Sequence, residues 1–98
     1  MGWISFDNGA SIGQRGGENG IIVRDEEHVD GARITLERDG HIAPFSIPFG
    51  IYGWMVHTCF FSTQQRAEAD FKRMKNELAN ILAIIPFEDD PDLESSQI

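Results

Sequence analysis

Ile51-Tyr52-Gly53-Trp54-Met55-Val56-His57-Thr58-Cys59-Phe60-Phe61 is the stretch on which the fold turns. Read as one extended strand, it sends Tyr52, Trp54, Val56 and Phe60 to one side and Ile51, Met55, Cys59 and Phe61 to the other, because side chains alternate along a strand. Both sides are apolar, which predicts an interior strand with cover on each face. A single helix covers only one face. The second cover is expected from another copy of the chain, since large exposed apolar patches are rare on monomers and two-fold dimers are the commonest oligomers. The alternatives are a rolled sheet, in which residues 3–24 close over that face, and a ligand that fills the gap.

Upstream of this stretch, the pairs Asn8-Gly9, Asn19-Gly20, Asp30-Gly31 and Asp39-Gly40 supply the positive φ angles of tight turns, at intervals that suit short strands. They divide the chain into expected strands at Trp3–Phe6, Ala10–Gln14, Ile21–Arg24, Ala32–Arg38 and Ile42–Pro48. A two-residue turn at Asp39-Gly40 would pair Arg38 with His41, Leu36 with Ala43, Ile34 with Phe45 and Ala32 with Ile47, which makes one face wholly apolar. The opposite face would carry Arg33, Thr35, Glu37, Ser46, Pro44 and Pro48. Two prolines in that strand favour an edge, a bulge or a break. Five glycines between Gly9 and Gly20 leave an irregular loop as the other reading of the first strands.

Downstream, the period changes. Ala67, Phe71, Met74, Leu78, Ile81, Leu82 and Ile85 recur at steps of three and four, the stripe of an amphipathic helix. Ser62 with Gln65 forms a capping-box pattern, Glu68 precedes Lys72 at ion-pair spacing, and Pro86 supplies a stop. The segment 87–98 holds Glu88, Asp89, Asp90, Asp92 and Glu94 with no base, and reads as a disordered acidic tail. The expected fold class is therefore α+β: one domain over residues 1–86, an antiparallel β-meander of about 4–6 strands packed against one C-terminal amphipathic helix.

Charge and cysteine content narrow the function classes. The formal net charge is −8, and with the five tail acids set aside eleven acids face eight bases, a balance of −3. Such a body repels phosphate, so no nucleic-acid partner is expected. No apolar run reaches the ~18 residues of a membrane span, because Ser, His and Gly interrupt Phe45–Phe61, so no membrane partner is expected either. The single cysteine cannot form an internal disulfide and no signal-like segment opens the chain, which points to a cytoplasmic protein. Met1-Gly2 resembles the start of a myristoylation signal, but Phe6 stands where that signal wants Ser or Thr.

Each candidate site in the sequence also has a plainer structural explanation. The segment from Gly9 to Gly20 fits neither phosphate-loop fingerprint and reads as turns, with a loop around Arg15 that closes over a ligand as the functional version. Asp25-Glu26-Glu27-His28 alternates between faces, which suits a charged edge better than a metal site. His57 and Cys59 share a face and are the candidates for catalysis, yet nothing supplies the further ligands of a zinc site or the orienting group of a nucleophile. No metal and no cofactor is expected. The leading expectation is a non-enzymatic, homodimeric binding or accessory protein that engages a small molecule or a protein near Trp54, Tyr52, Trp3 and Arg15. The alternatives are a small enzyme with a pocket centred on His57 and Cys59, and an acidic inhibitor or immunity-type protein.

Overall fold

A computed structural model describes residues 2–84 of the chain. Five strands, β1 (Trp3–Ser5), β2 (Ile21–His28), β3 (Ala32–Arg38), β4 (Phe45–Ile51) and β5 (Met55–Phe61), form one antiparallel sheet in the order β1-β2-β3-β4-β5. One helix, α1 (Gln64–Ile84), follows and packs on one face. The fold is α+β, a meander with a C-terminal helix. The acidic tail and Pro86 lie outside the described residues.

The core is the meeting of the two apolar patterns. Ala32, Ile34 and Leu36 of β3 and Ile47 and Ile51 of β4 bury against Ala67, Phe71, Met74, Leu78 and Leu82 of α1. Each fully buried Leu, Ile, Phe or Met side chain contributes about 1.5–3 kcal/mol. Two ion pairs set the helix along β2: Arg24 Nε donates to Glu68 at 2.6 Å, and Lys75 Nζ reaches Glu26 at 2.5 Å. Glu68 thus answers the sheet rather than Lys72. The cap also sits one residue later than the sequence pattern implies, with Thr63 Oγ1 accepting from the N–H of Arg66.

The segment 51–61 is not one strand. Ile51 ends β4, and Gly53, at φ 79°, occupies the third position of a turn closed by the Trp54 N–H on the Ile51 carbonyl at 2.9 Å. What reads as a continuous apolar run is the end of one strand, a turn and the start of the next. As a result β5 is an edge strand instead of an interior one, and the apolar side chains of its start and of the turn before it are open: Val56 is 87% exposed, and Trp54 and Tyr52 of the turn 62% and 54%.

Two further expectations are corrected. Asp39-Gly40 is not a two-residue hairpin turn. A loop over residues 39–44 joins β3 to β4, so Arg38 pairs with Phe45, Ile34 with Phe49 and Ala32 with Ile51. The slip from the expected register is four residues. An even slip preserves which side chains face the core, and the buried set survived it. Ala10–Gln14 is not a strand but a chain of turns that follows the tight turn Phe6–Gly9, in which Asp7 and Asn8 take positive φ.

A candidate ligand groove on the open sheet face

The segment 10–20 folds over the sheet on the side away from α1, and two carboxylates hold it there. Glu37 of β3, wholly buried, accepts from the backbone N–H of Gly20 at 3.0 Å and of Glu18 at 3.2 Å. Gly16 packs so tightly on that carboxylate that any side chain at the position would land on it. Asp25 of β2, also buried, accepts from Ser11 Oγ at 2.8 Å and from Thr35 Oγ1 at 3.2 Å, and its full charge is met by two nitrogens of Arg33. The Arg33 guanidinium also lies 3.5 Å from the centre of the Phe6 ring. Hydrogen bonding to Asp25 is the main cause that holds Arg33 above the ordinary arginine pKa, outweighing the opposing effect of burial.

This loop covers β2 and β3 and touches β5 at Thr58, but it leaves the stretch from Pro48 and Gly50 to Val56 uncovered. Ile22 lies buried beneath it, turned to this face by a bulge between Ile22 and Arg24. The uncovered remainder is a groove of about 780 Å³, inside the ~300–1,000 Å³ range of small-molecule sites. Pro48 and Gly50 form a floor with little side chain. Arg15, Gly16 and Gly17 make one wall, Tyr52 and Trp54 close one end, and Val56 forms the rim on the β5 side. Glu18 reaches across to β5, where its carboxylate accepts from Thr58 Oγ1 at 3.1 Å.

The charges on this surface are unequal. Arg33 is committed to Asp25 and Glu37 to backbone donors. Arg15 donates only to the Asn19 carbonyl, at 2.8 Å, and has no carboxylate partner among the described residues. Tyr52 Oη donates to Glu27 at 2.8 Å, and burial, followed by that hydrogen bond, raises its pKa above the usual phenol value.

The fold therefore gathers Arg15, Tyr52 and Trp54 around one groove and separates Trp3 from them. Trp3 packs towards the helix side, edge-on to the buried His28 with ring centres 5.0 Å apart, and Lys75 lies 5.7 Å from its ring. Asp25-Glu26-Glu27-His28 is split between the faces: Asp25 and Glu27 meet Arg33 and Tyr52, while Glu26 and His28 meet Lys75 and Trp3. His57 is exposed at the core-facing side of β5 with the Phe49 ring 5.7 Å away, and half-buried Cys59 packs against the core. Among the described residues no three His, Cys, Asp or Glu side chains converge as metal ligands, and no helix is long and apolar enough to cross a membrane.

Glu37 and Ser46, like Thr35, belong to the face expected opposite the apolar one, where solvent would wet them, yet all three are buried. Glu37 and Ser46 are cross-strand neighbours, and the Ser46 hydroxyl has no hydrogen-bond partner among the described residues. The glycines at 16, 17 and 20 were the available signal, because only a loop without side chains can lie this close to a sheet. No protein-family model matches the chain, and no curated protein and no solved structure shows significant similarity to it.

Proposed function

We propose that the chain is a small non-enzymatic binding protein, active as a homodimer, whose groove takes a flat apolar ligand with an anionic end. The observation that carries this reading is the pairing of an aromatic, nearly flat cleft with Arg15, a guanidinium that no acid of the described fold neutralises. Trp54 and Tyr52 offer ring surfaces to a flat body. Arg15 offers forked donors to a carboxylate or sulfonate.

The fluorescent probe 1-anilinonaphthalene-8-sulfonate has this chemistry. Its emission should rise on mixing with the native protein, and both Arg15→Ala and Trp54→Ala should weaken its binding about tenfold, the equivalent of ~1.4 kcal/mol. Trp3→Phe should leave binding unchanged, since Trp3 lies outside the groove. Failure of the probe to bind, or binding that ignores both Arg15→Ala and Trp54→Ala, would overturn the reading.

A further inference from the structure

The outer edge of β5 is built to receive a strand. Antiparallel ladders alternate between residue pairs that exchange N–H···O bonds and pairs that do not. Pro48 has no N–H, so its pair with Thr58 is of the second kind. The gap in the β3–β4 ladder at Thr35–Pro48 confirms that the missing donor falls on the β3 side. It follows that Ile47–Cys59 and Phe49–His57 exchange the bonds between β4 and β5. Val56, Thr58 and Phe60 then aim their N–H and C=O groups outward, where no strand of the described residues sits.

Proteins blunt such edges with charges, prolines or bulges. β5, Met55-Val56-His57-Thr58-Cys59-Phe60-Phe61, has no proline, no acid, no lysine and no arginine, and it pairs with β4 without a bulge. The opposite edge, β1, is only three residues long and runs straight into the Phe6–Gly9 turn.

We propose that two copies join along β5 in an antiparallel register centred on Thr58, and that each groove is walled on its open side by the partner's Phe60. Read against itself about Thr58, the strand sets Val56 opposite the partner's Phe60, Met55 opposite the partner's Phe61 and His57 opposite the partner's Cys59. Apolar meets apolar at Val56–Phe60 and Met55–Phe61, and no like charges of β5 meet. All three outward residues find outward partners in this register, whereas a slip of two residues strands one of them. That self-match selects a second copy over a foreign peptide.

One strand pair alone covers less than the ~800 Å² per partner of a standard interface. The same register brings exposed Trp54 to the Phe61 end of the partner's sheet, the end that carries the β3–β4 loop with Ile42, 73% exposed. Both ends of the seam thus add apolar cover. Within the groove, the rim at Val56 gains an aromatic neighbour about 4.5–5.5 Å away, between Cβ atoms. This wall rests on the groove being the binding site; the seam does not.

Solution mass and site-directed crosslinking test the proposal. The native chain should sediment at twice 11.0 kDa. In a Cys59→Ser background, Thr58→Cys should crosslink to itself on oxidation, whereas Val56→Cys and Phe60→Cys should crosslink only when mixed. Thr58→Pro removes an outward donor that β4 does not use, together with the hydroxyl that Glu18 accepts from, so it should give a monomer that keeps the strand and helix signals of its circular dichroism spectrum, and Val56→Lys should give a monomer by charge with that hydroxyl in place. Phe60→Ala should stay dimeric and bind the anilinonaphthalene probe several-fold more weakly. A native monomer, or a dimer that crosslinks through Ile81→Cys on the helix and not through Thr58→Cys, overturns the seam. A dimer whose Phe60→Ala variant binds the probe at full strength overturns the wall, and a dimer that never binds the probe overturns the groove reading while the seam stands.

Discussion

Arg33 grips Asp25 through two guanidinium nitrogens, at 3.0 and 2.6 Å, on the sheet face that the helix leaves open. The two partners differ in access to water: Asp25 is 3% exposed, whereas the Arg33 side chain keeps 36% of its surface. Their removal should therefore be unequal. Arg33→Ala strands a buried carboxylate with two hydroxyls for company and should cost about 3–5 kcal/mol. Asp25→Ala leaves a guanidinium that can turn to solvent and should cost less, about 1–3 kcal/mol. Urea unfolding of both variants checks the order; equal losses would mean that Asp25 is better hydrated than its burial implies.

Glu37 and Gly16 make the second prediction. The carboxylate anchors the loop through the N–H groups of Glu18 and Gly20, and Gly16 leaves the space the carboxylate occupies. Glu37→Ala should strand those donors at a cost of about 1–3 kcal/mol. Gly16→Ala keeps every hydrogen-bonding group but forces the loop off the sheet, so it should disturb the Arg15 wall more than the core. Thermal unfolding should show the larger loss in Glu37→Ala, with probe binding impaired in both variants.

How far the sequence carries can be argued from these same residues. The helix and the apolar faces of β3 and β4 were legible because their periods, 3.6 and 2, are fixed by backbone geometry. The register was not: Asp39-Gly40 looks like a two-residue turn, and only long-range packing shows that the chain continues to Phe45 before pairing. The break inside 51–61 was marked by Gly53, but apolar residues on both sides of it masked the turn. Arg15, Tyr52 and Trp54 could be singled out one by one. That they share a groove depends on where a glycine-rich loop lands, which no local pattern encodes. Trp3 carried the same aromatic signal and went to the other face.

The start of α1 separates pattern from structure within one residue. Ser62 with Gln65 is the capping-box signature, yet the Arg66 N–H is accepted by Thr63 Oγ1, at 3.3 Å. Thr63→Ala should destabilise the protein by about 1 kcal/mol, the usual worth of an N-cap. Ser62→Ala should be close to neutral. Chemical unfolding of the pair decides, and a larger loss in Ser62→Ala would move the helix start back by one residue.

Tyr52 is the only tyrosine, so its ionisation can be followed by ultraviolet absorbance without interference from another phenol. Burial and then the hydrogen bond to Glu27 raise its pKa, while Arg33 pulls the other way. A raised folded-state pKa means that the native protein binds this proton more tightly than the unfolded chain does. The stability it contributes is complete below the free tyrosine value, about 10, and is lost as pH rises through the folded value. The phenolate should accordingly appear at higher pH in native protein than in urea. Glu27→Gln removes the nearby negative charge and should bring the native midpoint down, but not to the unfolded value, because burial is the larger cause. A native midpoint at or below that of the unfolded chain would show that Tyr52 stands free in water and is no part of the groove.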